Sequence, residues 1–485
     1  MVMNSLRPLR KVPIYPKPTG NKVWFVARIL RGLHSWIEVP NEEDYSNDGY
    51  SIKFLGLSLF LVNKPSEVKR IKMSNFNQFP KHRLTLWTLE PLTGRSVFSV
   101  NGEEWHQQRI LIDQAFKLAQ LKKVFPQMRG AVDSLIRRLD PISDERSVEI
   151  DQEMNLVTAD VIIRTILSRP LVGKEGKNIF EAFSLYQKRA GRAGILRLFR
   201  VNQQFLQQYL GRDARRIRSW IQDCISERKN TLHKNDHSGH GQDFLQAMMD
   251  AVDPNTGYRF NDRELIDQVC LLFLAGHETS ASSLGMAAYL LSQYKDVQEK
   301  FKQEIEAILA SRVAIGQDTS APFFYEDLKM MPYGSAIFNE TLRLYPPVGF
   351  LFHEPTETTD VLKMRCPLSS LITISPWIIQ RHQKLWDRPN AFEPERFFEQ
   401  TASTQEQTSE REAFLPFGLG PRKCPGAAFA MQEALLVLAE VIRRYELLPD
   451  SHHVPKIVSG LTIRSSNGIR VRLRRRSLNF KPKAA

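Results

Sequence analysis

Cys424 lies in a short segment whose residue types are suited to presenting one thiolate to a metal. The segment, residues 417–426, has the sequence FGLGPRKCPG. Its three glycines are Gly418, Gly420 and Gly426. Glycine permits turns with positive φ and a close approach of the backbone to a flat group, so we expect both at these positions. Residues 427–438 are helix-forming, which places the sulfur near a helix N-terminus, where the dipole favours an anion.

Two neighbours of Cys424 indicate which metal centre the thiolate serves. Arg422 supplies a permanent cation that suits a haem propionate, and Phe417 is expected to pack against the haem ring and keep water from the sulfur. A thiolate ligand pushes electron density through a haem iron and favours cleavage of the O–O bond. The alternative is an ordinary core cysteine beside a glycine turn. The five fixed residues of F-x-x-G-x-R-x-C-x-G would occur together by chance in about one such chain in ten thousand, which favours the ligand.

A second motif, AGHET, occupies residues 275–279. Thr279 follows Ala275 by four residues, so on a helix its hydroxyl can bond the Ala275 carbonyl and open a local bulge beside the haem. We expect Gly276 to keep the face of the ring clear. Glu278 is expected to relay protons from solvent, and Thr279 to hydrogen-bond the distal oxygen of bound dioxygen. A polar interruption of a buried helix is the alternative.

These motifs resemble those of the cytochrome P-450 family of haem-thiolate monooxygenases, and further matches run from about Trp105 to the C-terminus. The resemblance implies a mainly α fold with a smaller β-rich lobe. It implies a single domain over residues 1–485, beginning with a basic, proline-containing arm at residues 1–40. The implied cofactor is haem b with Cys424 as its axial ligand. The implied reaction inserts one oxygen atom of O2 into an organic substrate, with electrons from a separate redox partner.

The resemblance also assigns residues that hold the haem propionates. Trp105 and Arg109 match W-x-x-x-R, a pair that commonly binds one propionate in the family. For the other propionate the family often has an arginine further along the chain, and this chain has His353 at that offset. We therefore expect His353 to bind the propionate, with Arg365 as the alternative.

Glu340 and Arg343 form an E-x-x-R pair on one face of a helix. A surface ion pair is the simpler interpretation. The resemblance instead implies a buried pair that is completed by Arg396 and that fixes the loop leading to Cys424. This role is structural and not catalytic.

The net charge of +14 does not indicate a nucleic-acid partner, because the basic residues form no stripe interleaved with aromatic residues. The basic run at residues 470–476 alternates like a half-exposed strand at a solvated sheet edge. Another basic group is expected to flank the thiolate side of the haem, where an acidic ferredoxin or flavodoxin would dock, although solubility explains these charges as well. This group consists of Lys117, Lys122, Lys123, Arg422 and Lys423.

The cysteines and the N-terminal residues indicate the cellular compartment of the protein. Four cysteines without metal-binding or disulfide-dense spacing favour a reducing compartment. The first residues contain no apolar run of the length of a signal peptide or membrane span. We therefore expect a cytoplasmic monomer without an integral membrane anchor, of the soluble prokaryotic type. A cleaved organelle presequence is the alternative, since no acidic residue precedes Glu38.

Local patterns predict the main elements that must position these residues. Residues 50–62 have the pattern of two strands that turn near Gly56, and helical patterns dominate from 101 to 310. Polar segments predict three loops, at 233–241, 316–322 and 401–410.

The substrate is the least determined part of the prediction. Phe350, Leu351 and Phe352 are suited to the wall of an apolar pocket and equally to ordinary packing. We therefore expect a small hydrophobic substrate. A peroxide-using or rearranging haem-thiolate enzyme is the enzymatic alternative, and Glu278 and Thr279 count against it. A non-catalytic haem sensor or carrier is the other alternative, although it would have no need of Thr279.

Overall fold

The chain folds into a mainly helical structure with smaller sheets, as the sequence predicts. The computed structural model describes residues 11–23, 25–32, 34–54, 56–142, 146–171, 173–198, 201–233, 242–314, 322–398 and 411–476. The three predicted polar loops lie almost entirely outside the described residues, as do the first ten residues of the basic arm.

Helices make up most of the described chain. They are α1 (Phe25–Gly32), α2 (Pro65–Lys69), α3 (Arg83–Thr93), α4 (Gly102–Ala115), α5 (Leu118–Leu139), α6 (Ile150–Leu167), α7 (Gly173–Leu198), α8 (Gln203–His233), α9 (Phe244–Asp250), α10 (Asp262–Gln293), α11 (Lys295–Ala314), α12 (Pro332–Leu344), α13 (Pro376–Ile379), α14 (Glu395–Phe398) and α15 (Ala427–Arg444). A π-helical turn, Arg70–Ser74, continues α2. Long helices fill the range from 101 to 310, which confirms that part of the prediction.

The strands form four small sheets. They are β1 (Gly49–Phe54), β2 (Leu57–Val62), β3 (Ser147–Glu149), β4 (Leu351–His353), β5 (Thr359–Val361), β6 (Met364–Cys366), β7 (Leu371–Ile374), β8 (Tyr445–Pro449), β9 (Ile457–Ser459), β10 (Ile463–Ser465) and β11 (Arg470–Arg475). The largest sheet has the order β1-β2-β7-β4, with β2 and β7 parallel and the other pairs antiparallel. The remaining sheets are β3-β11-β8, β5-β6 and β9-β10.

Helix α10 forms the centre of the helical part. A reciprocal capping box starts it: the Asn261 side chain accepts from the Glu264 N–H at 3.0 Å, and the Glu264 carboxylate accepts from the Asn261 N–H at 2.9 Å. Most of its side chains are buried, and it packs against α3, α6, α8, α11, α12 and α15. A helix with buried residues around its whole circumference belongs in the interior. The AGHET motif is therefore held inside the fold.

Two strand predictions have different outcomes. The predicted turn near Gly56 is confirmed, because β1 and β2 pair on either side of it and Gly56 has a φ of +78°. The basic run at the C-terminus does form a half-exposed strand, β11. It is not a sheet edge, however, since β11 pairs with both β3 and β8. Its buried apolar residues, Val471 and Leu473, hold it in the middle of the sheet.

No helix among the described residues is long and apolar enough to cross a lipid bilayer.

Candidate active site

The segment 417–426 forms a tight loop that ends where α15 begins. The Cys424 N–H donates to the Phe417 carbonyl at 2.8 Å and closes the loop. Gly418 and Gly420 have φ values of +75° and +74°, so both need glycine. A Cβ on Gly420 would also lie 2.1 Å from the Lys72 carbonyl oxygen. The loop therefore depends on glycine both for its turns and for its close approach to the Arg70–Ser74 turn.

Gly426 differs from the prediction. Its φ is −86°, because it serves as the N-cap residue of α15 and not as a left-handed turn. A Cβ there would make ordinary contacts, 3.6 Å from the Phe116 ring and 3.9 Å from the Cys424 sulfur. Glycine at this position is therefore not required by the backbone, and its small size leaves space beside the sulfur.

The Cys424 side chain is exposed, although the other three cysteines are buried. The residue is exposed at one surface, but the protein atoms packed around the sulfur desolvate it and so raise the pKa of the Cys424 thiol, while the Gly426 backbone N–H and the charge of Arg109 lower it. Donors and a cation that face the sulfur are what a thiolate ligand requires. A bound metal ion would supply the remaining stabilisation of the anion.

Arg109 and Arg422 join the loop to α4. Arg109 donates to the Lys423 carbonyl at 2.7 Å and to the Asp113 carboxylate at 2.8 Å. Arg422 donates to the Asn101 side chain at 2.8 Å, and its guanidinium carbon lies 4.6 Å from the centre of the Trp105 ring. The W-x-x-x-R pair and the loop arginine therefore lie together, as predicted.

His353 lies beside two lysines that the sequence analysis missed. Its ring contacts the Phe79 carbonyl through Nδ1 at 2.9 Å and the Lys72 amine through Nε2 at 3.4 Å. Lys81 bonds the Val97 carbonyl at 3.2 Å. Burial and then the charge of Arg422 lower the pKa of Lys72 to about 8. The alternative, Arg365, is exposed on the β5–β6 hairpin.

We call Lys72, Lys81, Arg109 and Arg422 the cation cluster. Burial and then the charge of Lys72 lower the pKa of the neighbouring His353 well below its usual value, so its ring is neutral. Burial lowers the pKa of Lys81 well below its usual value, and the charges of Arg422, Lys72 and Arg109 lower it further. Among the described residues, Lys72, Lys81 and Arg422 have no carboxylate partner, and the Arg422 Nε is buried without a hydrogen bond. Burial lowers the pKa of Arg422 to about 10. These cations repel one another, and one N–H donor, the Arg422 Nε, is left unbonded. They are therefore suited to binding a group that carries carboxylates, such as the haem propionates.

The other side of the site is the AGHET segment of α10. The Thr279 hydroxyl donates to the Ala275 carbonyl at 2.6 Å, as the four-residue spacing predicts. Ala275 is exposed although most of α10 is buried, so an open space adjoins the helix at this point. The predicted bulge does not break the helix, which is continuous from Asp262 to Gln293. The Thr279 hydroxyl therefore shares the Ala275 carbonyl with the backbone N–H of the helix and does not displace that N–H.

Gly276 has a different role from the predicted one. A Cβ on Gly276 would lie 2.4 Å from the Ile162 Cδ1 atom, so the missing side chain faces α6. Gly276 therefore permits close packing of α6 against α10. Ala275, one residue earlier, is the residue that faces the open space.

Glu278 lies on α10 close to the β9–β10 hairpin. Its carboxylate is 4.0 Å from the Arg464 guanidinium, and one of its oxygens is buried without a hydrogen-bond partner. Burial raises the pKa of Glu278, whereas Arg464 and Thr462 lower it. A raised pKa with an unsatisfied oxygen suits a group that takes up and releases protons.

The E-x-x-R pair is buried, which confirms that interpretation over a surface ion pair. Arg343 binds the Glu340 carboxylate with two bonds of 2.6 and 2.8 Å, and Arg396 approaches it at 3.3 Å. All three side chains are at most 1% exposed. The network reaches the cysteine loop through Gln380, which bonds the Arg343 carbonyl at 3.0 Å and accepts from the Leu415 N–H at 2.8 Å.

Comparisons with known proteins agree with this arrangement. Residues 38–470 match the family model described as "Cytochrome P450". A cytochrome P450 of Panax ginseng is 27% identical over 92% of this chain and 82% of its own length. Cyclooctatin synthase of Streptomyces melanosporofaciens is 30% identical over 74% of each chain. A cytokinin hydroxylase of Arabidopsis thaliana is 30% identical over 79% of this chain and 72% of its own.

The chain belongs to the cytochrome P-450 family. It is a haem-thiolate monooxygenase that binds haem b through a cysteine thiolate and takes electrons from a redox partner. The residues described above fit that cofactor. Cys424 is exposed in a closed loop, and among the described residues Lys72, Lys81 and Arg422 have no carboxylate partner, whereas Arg109 is paired with Asp113.

Proposed function

We propose that this chain oxidises a small hydrophobic molecule between the cysteine loop and the AGHET segment. Cys424 would be the axial ligand, with Phe417 and Gly418 in the loop behind it. The exposed Cys424 sulfur in a hydrogen-bonded loop is the observation that carries this assignment. When bound, the haem supplies the iron that activates dioxygen.

The cation cluster would hold the haem propionates. Trp105 supports the Arg422 guanidinium from one side, which keeps it in place while its Nε remains free. Lys72 and His353 are close enough to share one carboxylate. Bound carboxylates would offset the burial and then the mutual repulsion that lower the pKa values of Lys72 and Lys81.

On the α10 side of the site, Thr279 and Glu278 would deliver the protons that the reaction consumes. The Thr279 hydroxyl can turn from the Ala275 carbonyl to an oxygen species in the adjoining space. Glu278 is placed to exchange protons with the protein surface because Arg464, 41% exposed in its side chain, lies beside it. General acid catalysis of this kind directs O–O cleavage towards water and away from release of peroxide.

Replacing Thr279 by alanine should uncouple the reaction. We expect reductant to be consumed at a rate within about threefold of the wild-type rate, while product per reductant falls at least about tenfold and peroxide accumulates. The measurement compares NAD(P)H consumption through a redox partner with oxygen uptake, peroxide and product. Thr279→Ser, which keeps the hydroxyl, is the matched control and should remain coupled. Unchanged coupling in Thr279→Ala would remove Thr279 from proton delivery.

A mostly apolar cavity of about 380 Å³ lies against the β1-β2-β7-β4 sheet, and its lining residues include none from the cysteine loop, the AGHET segment or the cation cluster. Its wall includes Trp36, Leu59, Trp87, Phe350, Phe352 and Leu371. The Phe350 and Phe352 rings stack with centroids 6.5 Å apart, and both contact Trp36. Leu351 lies on the other face of the strand and packs in the core of the β-rich part. Of the three predicted wall residues, two line a cavity and one is ordinary packing.

Charge in this cavity favours an uncharged substrate. Two arginines line it, but Arg28 is bonded to Asp44 at 2.7 Å and Arg83 to Glu354 at 2.9 Å. A substrate carboxylate would have to compete with these protein carboxylates for the same cations. Spectral-shift titrations with neutral and carboxylate-bearing apolar compounds of equal length identify the preferred class.

An acidic redox partner would dock on the surface behind the cysteine loop. Lys117, Lys123 and Lys423 are exposed there, and the neighbouring Leu118 is 61% exposed. A Cβ on Gly426 would lie 3.6 Å from the Phe116 ring, and α5 begins two residues after Phe116. The start of α5 therefore adjoins the cysteine loop. This surface differs from the sequence prediction in two respects. Arg422 points into the site, and the charge of Lys122 is offset by Glu326 at 2.5 Å.

Reversing the charge of this surface should slow electron delivery from an acidic ferredoxin or flavodoxin. We expect Lys117→Glu/Lys423→Glu to lower the second-order rate of reduction at least about tenfold at low salt, with the difference shrinking as salt screens it. Stopped-flow reduction measures this rate. Lys53→Glu, on β1, is the control with the same type of substitution. Equal rates for the double variant and wild type would exclude this surface.

We also propose the domain organisation, the oligomeric state and the location of the chain. We infer one functional unit over residues 1–485, acting as a monomer. The spacing of the four cysteines, which is typical of neither a disulfide framework nor a metal site, supports a reducing, cytoplasmic location.

A further inference from the structure

Met73 is an exposed methionine that packs against the cysteine loop. It belongs to the π-helical turn Arg70–Ser74 and is 40% exposed. A Cβ on Gly420 would lie 3.1 Å from the Met73 Cγ atom, so the methionine side chain covers the backbone of the loop at this point. The side chain is therefore open to solvent and at the same time in contact with the segment that carries Cys424.

The turn that carries Met73 also reaches the cation cluster. Lys72, the preceding residue, has its carbonyl oxygen 2.1 Å from where a Cβ on Gly420 would lie. The Lys72 amine, at the other end of the same residue, lies 3.4 Å from the His353 ring. Single π-helical turns often occur at functional sites. A displacement of this turn from the cysteine loop would therefore also displace a cation of the cluster.

The residues that follow the turn contact a second part of the site. The Phe76 ring, three residues after Met73, lies 5.8 Å from the Trp105 ring between centroids. The Arg422 guanidinium carbon lies 5.9 Å from the centre of the Phe76 ring. The position of Met73 is thus connected through short stretches of backbone to Lys72 on one side and to Trp105 and Arg422 on the other.

Exposure separates Met73 from most other methionines of the chain. Among the described residues, Met73 and Met330 are the exposed methionines. Met330 is 51% exposed at the end of a different element, the short helix Asp327–Met330. Met128 and Met286, by contrast, are 0% exposed. A small oxidant in solution therefore has direct access to Met73 and to Met330, and Met73 is the one that contacts the cysteine loop.

Hydrogen peroxide oxidises a methionine by transferring one oxygen atom to the sulfur. The O–O bond breaks, the sulfur gives up two electrons and becomes a sulfoxide, and the other oxygen leaves with both hydrogens as water. No further reductant or proton is consumed. The product is a polar, chiral side chain in place of a flexible apolar one, and methionine sulfoxide reductases reverse the change.

We propose that Met73 is an oxidation site through which this enzyme loses its haem. Hydrogen peroxide released by uncoupled turnover converts Met73 to the sulfoxide, which packs poorly against Gly420 and loosens the Arg70–Ser74 turn from the cysteine loop. Lys72 moves with the turn, so the cation cluster holds the haem less firmly. The source of the peroxide rests on the proposed function, whereas the exposed side chain and its contact with the loop do not.

Brief treatment of the holoprotein with added hydrogen peroxide, stopped with catalase, tests this site. Peptide mass spectrometry should find Met73 oxidised and the buried Met128 intact. Transfer of intact haem to an excess of apomyoglobin should become about threefold faster or more, in proportion to the fraction of Met73 sulfoxide. Treatment with methionine sulfoxide reductases should restore the original rate. A Met73 that stayed as reduced as Met128 would overturn the proposal.

Two leucine variants provide matched controls. Met73→Leu conserves an apolar side chain of similar volume, so its haem transfer should not accelerate after peroxide treatment. Met330→Leu removes the other exposed methionine and should behave as wild type. Bleaching of the haem by peroxide would affect every variant and would not be reversed by the reductases. Equal acceleration in Met73→Leu and wild type would overturn the proposal.

Turnover tests the source of the oxidant separately. Thr279→Ala, which is expected to release peroxide, should oxidise Met73 at least about threefold faster than wild type, and added catalase should prevent this. Peroxide release without oxidation of Met73 would overturn the proposal. Absence of peroxide release in Thr279→Ala would instead contradict the proposed proton delivery, and the treatment with added peroxide would still decide whether Met73 is the sensitive residue.

Discussion

Replacing Cys424 by serine should abolish the red-shifted carbon monoxide band of the reduced protein. A serine hydroxyl is a far weaker anionic ligand than a thiolate, so the electron donation that produces the band is lost. Product formation should fall to background for the same reason. Reduced-minus-oxidised spectra under carbon monoxide, recorded on purified protein with measured haem content, check this expectation.

A second cysteine provides the control. Cys224 is buried on α8 near Arg169, and Cys224→Ser should keep the red-shifted band because this side chain has no contact with the cysteine loop. A Cys424→Ser protein that retained the band would show that another residue ligates the iron. The prediction thus distinguishes the loop from the other cysteines of the chain.

Replacing Glu340 by glutamine should destabilise the fold by about 3–5 kcal/mol and prevent haem retention. The change removes the carboxylate that binds Arg343, whose side chain is 0% exposed, while Arg396 keeps its ion pair with Glu393 at 3.0 Å. Gln380 bonds both the Arg343 carbonyl and the Leu415 N–H, so a shift of Arg343 would also displace Leu415, two residues before the cysteine loop. Urea denaturation midpoints and haem content per chain measure the effect.

An exposed ion pair gives the comparison for this loss. Glu326 pairs with Lys122, and both side chains are about 60% exposed. Glu326→Gln should leave the denaturation midpoint nearly unchanged, because water solvates both groups once they separate. If Glu340→Gln were as mild as Glu326→Gln, the buried network would not be what holds the loop.

Much of the candidate site follows from short stretches of sequence. The closure of the loop around Cys424, the positive φ of Gly418 and the bond from Thr279 to Ala275 each depend on residues within seven positions of one another. Local spacing and residue type are sufficient for such features, because the backbone geometry of a turn or helix decides which atoms meet.

Other predictions failed where the neighbour came from elsewhere in the chain. Gly276 was expected to face the haem, but its open side is filled by Ile162 of α6. The basic strand β11 was expected at a sheet edge, but β3 and β8 cover both of its sides. Helical or strand periodicity shows which residues share one face of an element. It does not show which distant element packs against that face.

Sequence alone therefore indicated the class of the protein, which the comparisons confirm, and it predicts the sulfur ligand and the oxygen-side motif, since each depends on consecutive residues. Only the folded chain brought Lys72, Lys81 and His353 together with Arg422. The physical reason is that buried like charges and unsatisfied acids are unfavourable in themselves. No local pattern predicts them, and they occur where tertiary packing forces them together for a cofactor or a proton to compensate.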